Sequence, residues 1–301
     1  MSNDLYVAFR EAIDGPEDQI DIGRAALAIA TQEYPDLKIE DCLSQLDALG
    51  QAVELRIGDE KNPYRIIAAL NTVLFKELGF QGNRSEYYDP KNSFLNDVIS
   101  RKKGIPISLS VVYMEVARRV GLSLEGIGFP GHFLVKYDDG ELEIFIDVFN
   151  GGEIRSREDL DRMLQQLYRG QLSYQPGFVV PLGKRDILRR MLNNLKWIYL
   201  ERGEPLKTLS VLDQLVILDP RSANEIRDRG LLYITLERYA QALEDLEGYL
   251  RLAPGADDVD VVPLDVEDVP DPDRGRDVAA PLLGGAGVAQ LPQREQVVVH
   301  R

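Results

Sequence analysis

Three residues in this chain carry the side chains that proton transfer and nucleophilic attack require: Ser108, His132 and Asp147. An imidazole takes up and returns a proton near neutral pH, and a carboxylate beside it fixes its tautomer. A hydroxyl held against such an imidazole becomes a nucleophile for acyl transfer or hydrolysis. The other histidine, His300, sits beside the C-terminus and is expected to be neither ligand nor catalyst. The one cysteine, Cys42, lies far upstream among Ile39, Leu43 and Leu46, at the spacing of a buried helical stripe. An inert packing thiol is expected there.

The elements that must position the first three residues run from Gly104 to Asn150 as helix, strand, turn and strand. Pro106 suits a first helical position, where a missing N–H costs nothing. Leu109, Val112, Tyr113, Val116 and Val120 then form a stripe that Gly121 ends. Asp139-Gly140 has the composition of a two-residue hairpin turn, which pairs Asp138 with Glu141. Counting outward sets Phe133, Val135 and Tyr137 against Ile146, Ile144 and Leu142 on one apolar side. On the other side Lys136 faces Glu143, Leu134 faces Phe145, and His132 faces Asp147 at cross-strand contact distance.

The strings RKKGIPISLSVVYMEVARRVGL, GFPGHFLVKY and FIDVFNGG resemble the transglutaminase-like superfamily and, within it, the bacterial SirB-type proteins, over about residues 1–254. The resemblance implies a papain-like helix packed on an antiparallel sheet, followed by tetratricopeptide repeats. It also implies a cysteine at the start of the central helix, activated by the histidine, with the aspartate orienting the ring. His132 and Asp147 match two of those roles. The helix start, however, holds Gly104, Ile105, Pro106 and Ile107, none of them a nucleophile. Ser108 follows in the first turn, where free N–H groups and the helix dipole favour a developing anion. It replaces the thiol only if the fold brings it to His132, on which a serine depends wholly.

Composition bounds the rest. At 301 residues, with 44% hydrophobic and 28% charged residues, the chain has the make-up of a soluble protein of about two domains. No apolar run approaches the roughly 20 residues needed to span a bilayer. MSNDLYVAFREAIDG lacks a signal-peptide layout, and one cysteine permits no internal disulfide, so a cytoplasmic location and no membrane partner are expected. The net charge of −15 argues against nucleic-acid binding through phosphates. Nine acidic residues and two arginines between Asp257 and Asp277 supply −7 of it. The basic cluster Arg101-Lys102-Lys103 is expected to be a solvated loop. No metal-ligand spacing, phosphate-binding loop or dinucleotide fingerprint appears, so neither cofactor nor metal is expected.

In chain order, residues 1 to about 80 read as a helical lead-in. Asp18 to Glu33 carries Ile20, Ile22, Ala25, Ala26 and Ile29 on one face; Asn62-Pro63 opens a helix that Gly79 stops, with Ile66, Leu70, Val73, Leu74 and Leu78 as its core stripe. Asp89-Pro90 leads into a short helix bearing Phe94, Leu95, Val98 and Ile99. Tyr87, Tyr88, Asn92, Asn96 and Asp97 stand where they would line a cleft beside His132 or cap and solvate that helix. Ser156 and Asp159 form a capping box before Leu160, Met163, Leu164 and Leu167, a helix that Gly170 closes. Two strands alone are unstable, and Leu172 to Val180 is the expected third, confined to an edge by Pro176. The first domain, residues 1–180, is therefore α+β.

From Arg185 the pattern is helical only. At an offset of 34, Tyr199 matches Tyr233, Leu209 matches Leu243, Leu212 matches Leu246, Leu218 matches Leu252 and Pro220 matches Pro254. That is the period of tetratricopeptide repeats, here two units over 185–254. Two units are few for independent stability, so they are expected to dock on the α+β domain as one body, with Trp197 as packing. Residues 255–301, rich in Asp, Pro and Gly and without aromatics, read as a disordered acidic tail. Two functions fit these features: a protein-interaction protein that binds a protein or peptide through its repeats, and a hydrolase or acyltransferase using Ser108, His132 and Asp147. The missing cysteine favours the first.

Overall fold

The computed structural model of the chain describes residues 6–256, so the expectations for the acidic tail beyond Ala256 and for His300 lie outside the described residues. The chain divides into two compact units, and the division falls between Met191 and Leu192.

The first unit opens with α1 (Val7–Ile13), α2 (Ile22–Ile29), α3 (Ile39–Ile57) and α4 (Pro63–Asn71). Asp21 caps α2 by accepting the Arg24 N–H, and Asn62 caps α4 with Pro63 behind it, as its sequence implies. α4 then continues as a π-helical stretch, Thr72–Glu77. This corrects one expectation: Val73 and Leu74 are buried, but Leu78 is 39% exposed. A wider turn shifts the phase of everything after it, so a stripe counted at 3.6 residues per turn misplaces its last member.

α5 (Leu95–Arg101) and α6 (Pro106–Arg119) come after a 3₁₀ turn over Pro90–Asn92. α6 is the centre of the unit, buried at every residue from Pro106 to Ala117. It packs against α2, α3 and α5 on the helical side and against the sheet on the other. Gly23 of α2 lies so near Glu115 that a Cβ there would stand 2.8 Å from its carboxylate.

The sheet has four antiparallel strands in sequential order: β1 (Glu125–Ile127), β2 (Leu134–Asp138), β3 (Glu143–Asp147) and β4 (Glu153–Arg155). Leu172 to Val180 is not a strand; it contains a 3₁₀ turn, Pro176–Val179, and the partners of the hairpin are β1 and β4. Pro176 fixes a backbone better suited to that turn, and Phe178 and Val179 pack under the sheet with Leu160 and Leu164 of α7 (Arg157–Leu167). α7 starts at the Ser156–Asp159 capping box.

The hairpin register also differs from the count. Asp138 pairs with Glu143, Tyr137 with Ile144, Lys136 with Phe145 and Val135 with Ile146, a slip of two residues that places Leu134, not His132, opposite Asp147. A two-residue turn of that type needs φ > 0 at both central positions, and only Gly140 has it (φ +88°). Asp139 instead accepts the N–H groups of Glu141 and Leu142 at 3.0 and 2.8 Å, closing a four-residue loop. An even slip keeps every side chain on its face. Val135, Ile144 and Ile146 therefore share one buried side as expected, and Lys136 still reaches Glu143 diagonally at 3.1 Å.

In α8 (Lys184–Glu201) the chain passes into the second unit, which continues as α9 (Pro205–Leu218), α10 (Ala223–Thr235) and α11 (Tyr239–Leu252). Ile226, Leu231, Leu246 and Tyr249 form its apolar core. Beside it Lys196 is buried between Glu225 and Asp228, each at 2.8 Å. Trp197 is half-buried, as packing requires.

The phase shift after α4 is testable. Leu74→Ala is expected to cost about 2–5 kcal/mol in urea unfolding, and Leu78→Ala less than about 0.5 kcal/mol. Equal losses would restore a continuous α-helical stripe.

Candidate functional site

His132 reaches its place through a turn and not through a strand. Gly131, at φ +69°, reverses the chain after Phe129-Pro130, and the His132 N–H returns to the Phe129 carbonyl at 3.0 Å. From there Nε2 lies 2.9 Å from Oδ1 of Asp147. The contact expected from sequence thus forms, by a turn and a diagonal reach.

Asp147 ends β3 and is fully buried. It accepts from His132, from the Asn150 main chain at 3.3 Å and side chain at 2.7 Å, and from Arg155 at 3.3 Å. Burial pushes its carboxyl up, but the hydrogen bond and charge of His132, then Asn150 and Arg155, outweigh this and hold it below the ordinary range. An ionised carboxylate only accepts, so Nε2 of His132 donates to it, and Nδ1 is the ring nitrogen that this bond does not use.

Ser108 is directed elsewhere. Its fully buried hydroxyl donates to the Asn92 carbonyl at 2.5 Å and accepts the Ile105 N–H at 3.1 Å. None of its hydrogen bonds reaches His132. Gly104 makes room for it, since a Cβ there would lie 2.7 Å from Oγ. The GIPIS segment therefore has a local role: the glycine admits the serine hydroxyl, and the hydroxyl ties the start of α6 to the preceding loop.

That loop forms one side of the site. Asn92 is buried; its side chain accepts from Asn83 at 3.0 Å and donates to the Glu86 and Tyr87 carbonyls. Of the residues offered for a cleft, Asn92 is thus structural, Asp97 accepts from Tyr34 at 2.5 Å, and Asn96 has a buried side-chain oxygen. Tyr87 is linked to the histidine through Phe149. Its ring packs on Phe149 (6.2 Å), which packs on His132 (6.1 Å), while Tyr88 is exposed.

Residues absent from the sequence-based set complete the site. The Phe149 ring lies against Gly82, where a Cβ would come within 2.5 Å of it. Arg84 covers its outer face at 5.0 Å and bonds Asn150. Gly152, at φ +77°, passes so close to Asn71 that a Cβ would overlap it; Asn71 donates to the Gly152 carbonyl and accepts from Tyr113 of α6. Arg190 of α8 donates to the His132 carbonyl at 3.3 Å. The run VFNGG was the available signal for Phe149 and the tight turn; Arg190 had none.

Cys42 is buried on α3, and burial pushes its thiol up, as expected for packing. Among the described residues no group of three or more His, Cys, Asp or Glu side chains could hold a metal ion, and no helix is long and apolar enough to cross a membrane.

A profile of the transglutaminase-like superfamily matches residues 40–193, and one of the tetratricopeptide repeat matches residues 195–263. A UPF0162 protein of Xylella fastidiosa (strain Temecula1) is 38% identical over 255 residues, which is 82% of this chain and 89% of that protein. One of Vibrio cholerae is 30% identical over 239 residues, 79% of this chain and 88% of that protein. F-box only protein 21 of Homo sapiens is 34% identical over 188 residues, covering 53% of this chain but 29% of that protein. Among solved structures, menin, described with its binding site for Mixed Lineage Leukemia (MLL) protein, covers 83% of this chain and 69% of its own. That match has 9% identity and a TM-score of 0.39.

The state of Asp147 can be checked by stability. Because its folded pKa is depressed, its contribution is present above the unfolded value of about 3.9 and is lost as pH falls through the folded one. Asp147→Asn should unfold in less urea than the wild type at pH 7, with the gap closing below about pH 4. A gap unchanged at pH 3 would mean the buried group is not ionised. For Cys42, an aromatic disulfide reagent should react slowly with the native chain and quickly in urea; fast native reaction would place the thiol at the surface.

Proposed function

The chain belongs to the UPF0162 proteins, a transglutaminase-like family with tetratricopeptide repeats, and from that premise we propose that it is a protein-interaction protein that binds without a covalent step. In this proposal residues 1–180 are the transglutaminase-like part, 185–254 the repeats that take a protein or peptide partner, and 255–301 an acidic tail, in a cytoplasmic protein. Stacked helical repeats generally present surfaces for protein partners.

One observation carries the non-covalent part: the Ser108 proton is committed to the Asn92 carbonyl in a fully buried site. A serine nucleophile must give that proton to the histidine, within hydrogen-bond reach. The His132–Asp147 pair then serves as a fixed polar wall of a binding site, its ring oriented by the carboxylate.

The hydrolase reading keeps one supporting feature, a ring nitrogen, Nδ1, that the Asp147 bond does not use, and the same experiment separates the two. With p-nitrophenyl acetate and a fluorophosphonate probe, the native chain should show no labelling at Ser108, and any background rate should survive both Ser108→Ala and His132→Ala. Turnover that each substitution abolishes would establish the catalytic unit instead. A partner recovered with the full chain should bind the purified protein equally well after Ser108→Ala.

A further inference from the structure

Arg190 stands apart from the other half-buried arginines of its unit. Arg101 pairs with Asp89, Arg119 with Glu115 and Asp47, Arg155 with Asp147 and Glu153, and Arg185 with Glu17. Arg190 has no carboxylate partner among the described residues. Its guanidinium lies over the Phe133 ring at 5.7 Å and gives one N–H to the His132 carbonyl. The way to that position is kept open by Gly128, where a Cβ would lie 2.6 Å from Nη1. The other guanidinium nitrogens are not among the buried atoms without partners, so they retain access to solvent.

A partly desolvated cation without a counter-charge costs stability, which one aromatic face and one carbonyl offset only in part. Burial lowers its pKa, and the group that opposes this shift is the Tyr87 phenol, itself pushed up to about 12 by burial and therefore neutral. Arg190 bonds the His132 carbonyl, and the rings of His132, Phe149 and Tyr87 are in contact in series, so the arginine and the histidine belong to the same small site. A guanidinium fork with free donors matches the two oxygens of one carboxylate. A polyanion is disfavoured by the net charge of −15.

We propose that Arg190 is the anion-binding residue of this site and that its ligand presents a carboxylate beside the His132 ring. The proposal names the ligand chemistry of the site assigned above as a binding site, and rests on that reading for its biological role but not for its test. The carboxylate comes from a peptide C-terminus or from an acidic side chain, and both sources share the chemistry.

The probes are N-acetylglycine for a chain end, N-acetylaspartate diamide for a side chain, and N-acetylglycinamide as the neutral control. The full chain is titrated with each by NMR, following the His132 ring protons, which His300→Gln distinguishes from the other histidine. At least one acid should shift the His132 resonances saturably and the neutral amide should not; which acid binds tighter identifies the source. Arg190→Gln should weaken that binding by about tenfold or more, Arg190→Lys should fall between, and Arg65→Gln, at an exposed arginine paired with Glu60, should leave it near wild type. Equal shifts with acid and amide, no saturable shift with either acid, or undiminished binding in a folded Arg190→Gln would each overturn the proposal. The acid-against-amide comparison needs no variant, so it stands if Arg190→Gln fails to fold. Ester turnover dependent on Ser108 would sink the non-covalent reading while leaving this binding result intact.

Discussion

The structure around the site depends on one buried charge. Asp147 has no exposed surface, and an ionised carboxylate removed from water costs several kcal/mol unless its lone pairs are filled. They are filled from three directions: the turn before β2, the 3₁₀ turn after β3, and Arg155 at the end of β4. Each donor that satisfies Asp147 is thereby fixed in position. His132 is one of these donors, so its orientation arises from the need to satisfy a carboxylate and requires no catalytic purpose.

The serine shows the same economy. A hydroxyl in the first turn of a helix has two possible uses, as a cap or as a nucleophile, and sequence does not distinguish them. Gly104 decides between them here, because its missing side chain opens the space into which Oγ turns. The Asn83–Asn92–Ser108 hydrogen bonds then hold the loop that brings Tyr87 to Phe149. The start of the central helix is thus tied by its own side chain to the loop that precedes it.

What could be read from sequence was what local chemistry settles. Pro106, Gly121, the Asn62 cap and the Ser156–Asp159 box set helix ends without help from the rest of the chain. The α+β class and the repeats came from periodicity. The hairpin register did not, because it turned on the sign of φ at Asp139 and on a carboxylate capturing two N–H groups. Leu78 was misplaced because a π-helical turn leaves no mark in the spacing of side chains. Phe149 and Arg190 escaped notice for a third reason: their positions are made by glycines, Gly82 and Gly128, whose effect is the absence of atoms.

The burial of α6 on all sides has a consequence for how the chain is made. A helix with no solvent-facing side cannot be enclosed by the N-terminal helices alone, nor by the C-terminal strands alone. α2 and α3 leave the ribosome first and cover one side; the strands that cover the other emerge only after α6 itself. Until then the nascent chain carries apolar surface without cover, the condition in which chaperones engage. α2 also precedes the segment shared with the superfamily, which starts at residue 40, yet its Gly23 rests directly on Glu115. The lead-in helices are therefore part of the wall around the central helix, and that wall begins before the segment shared with the superfamily does.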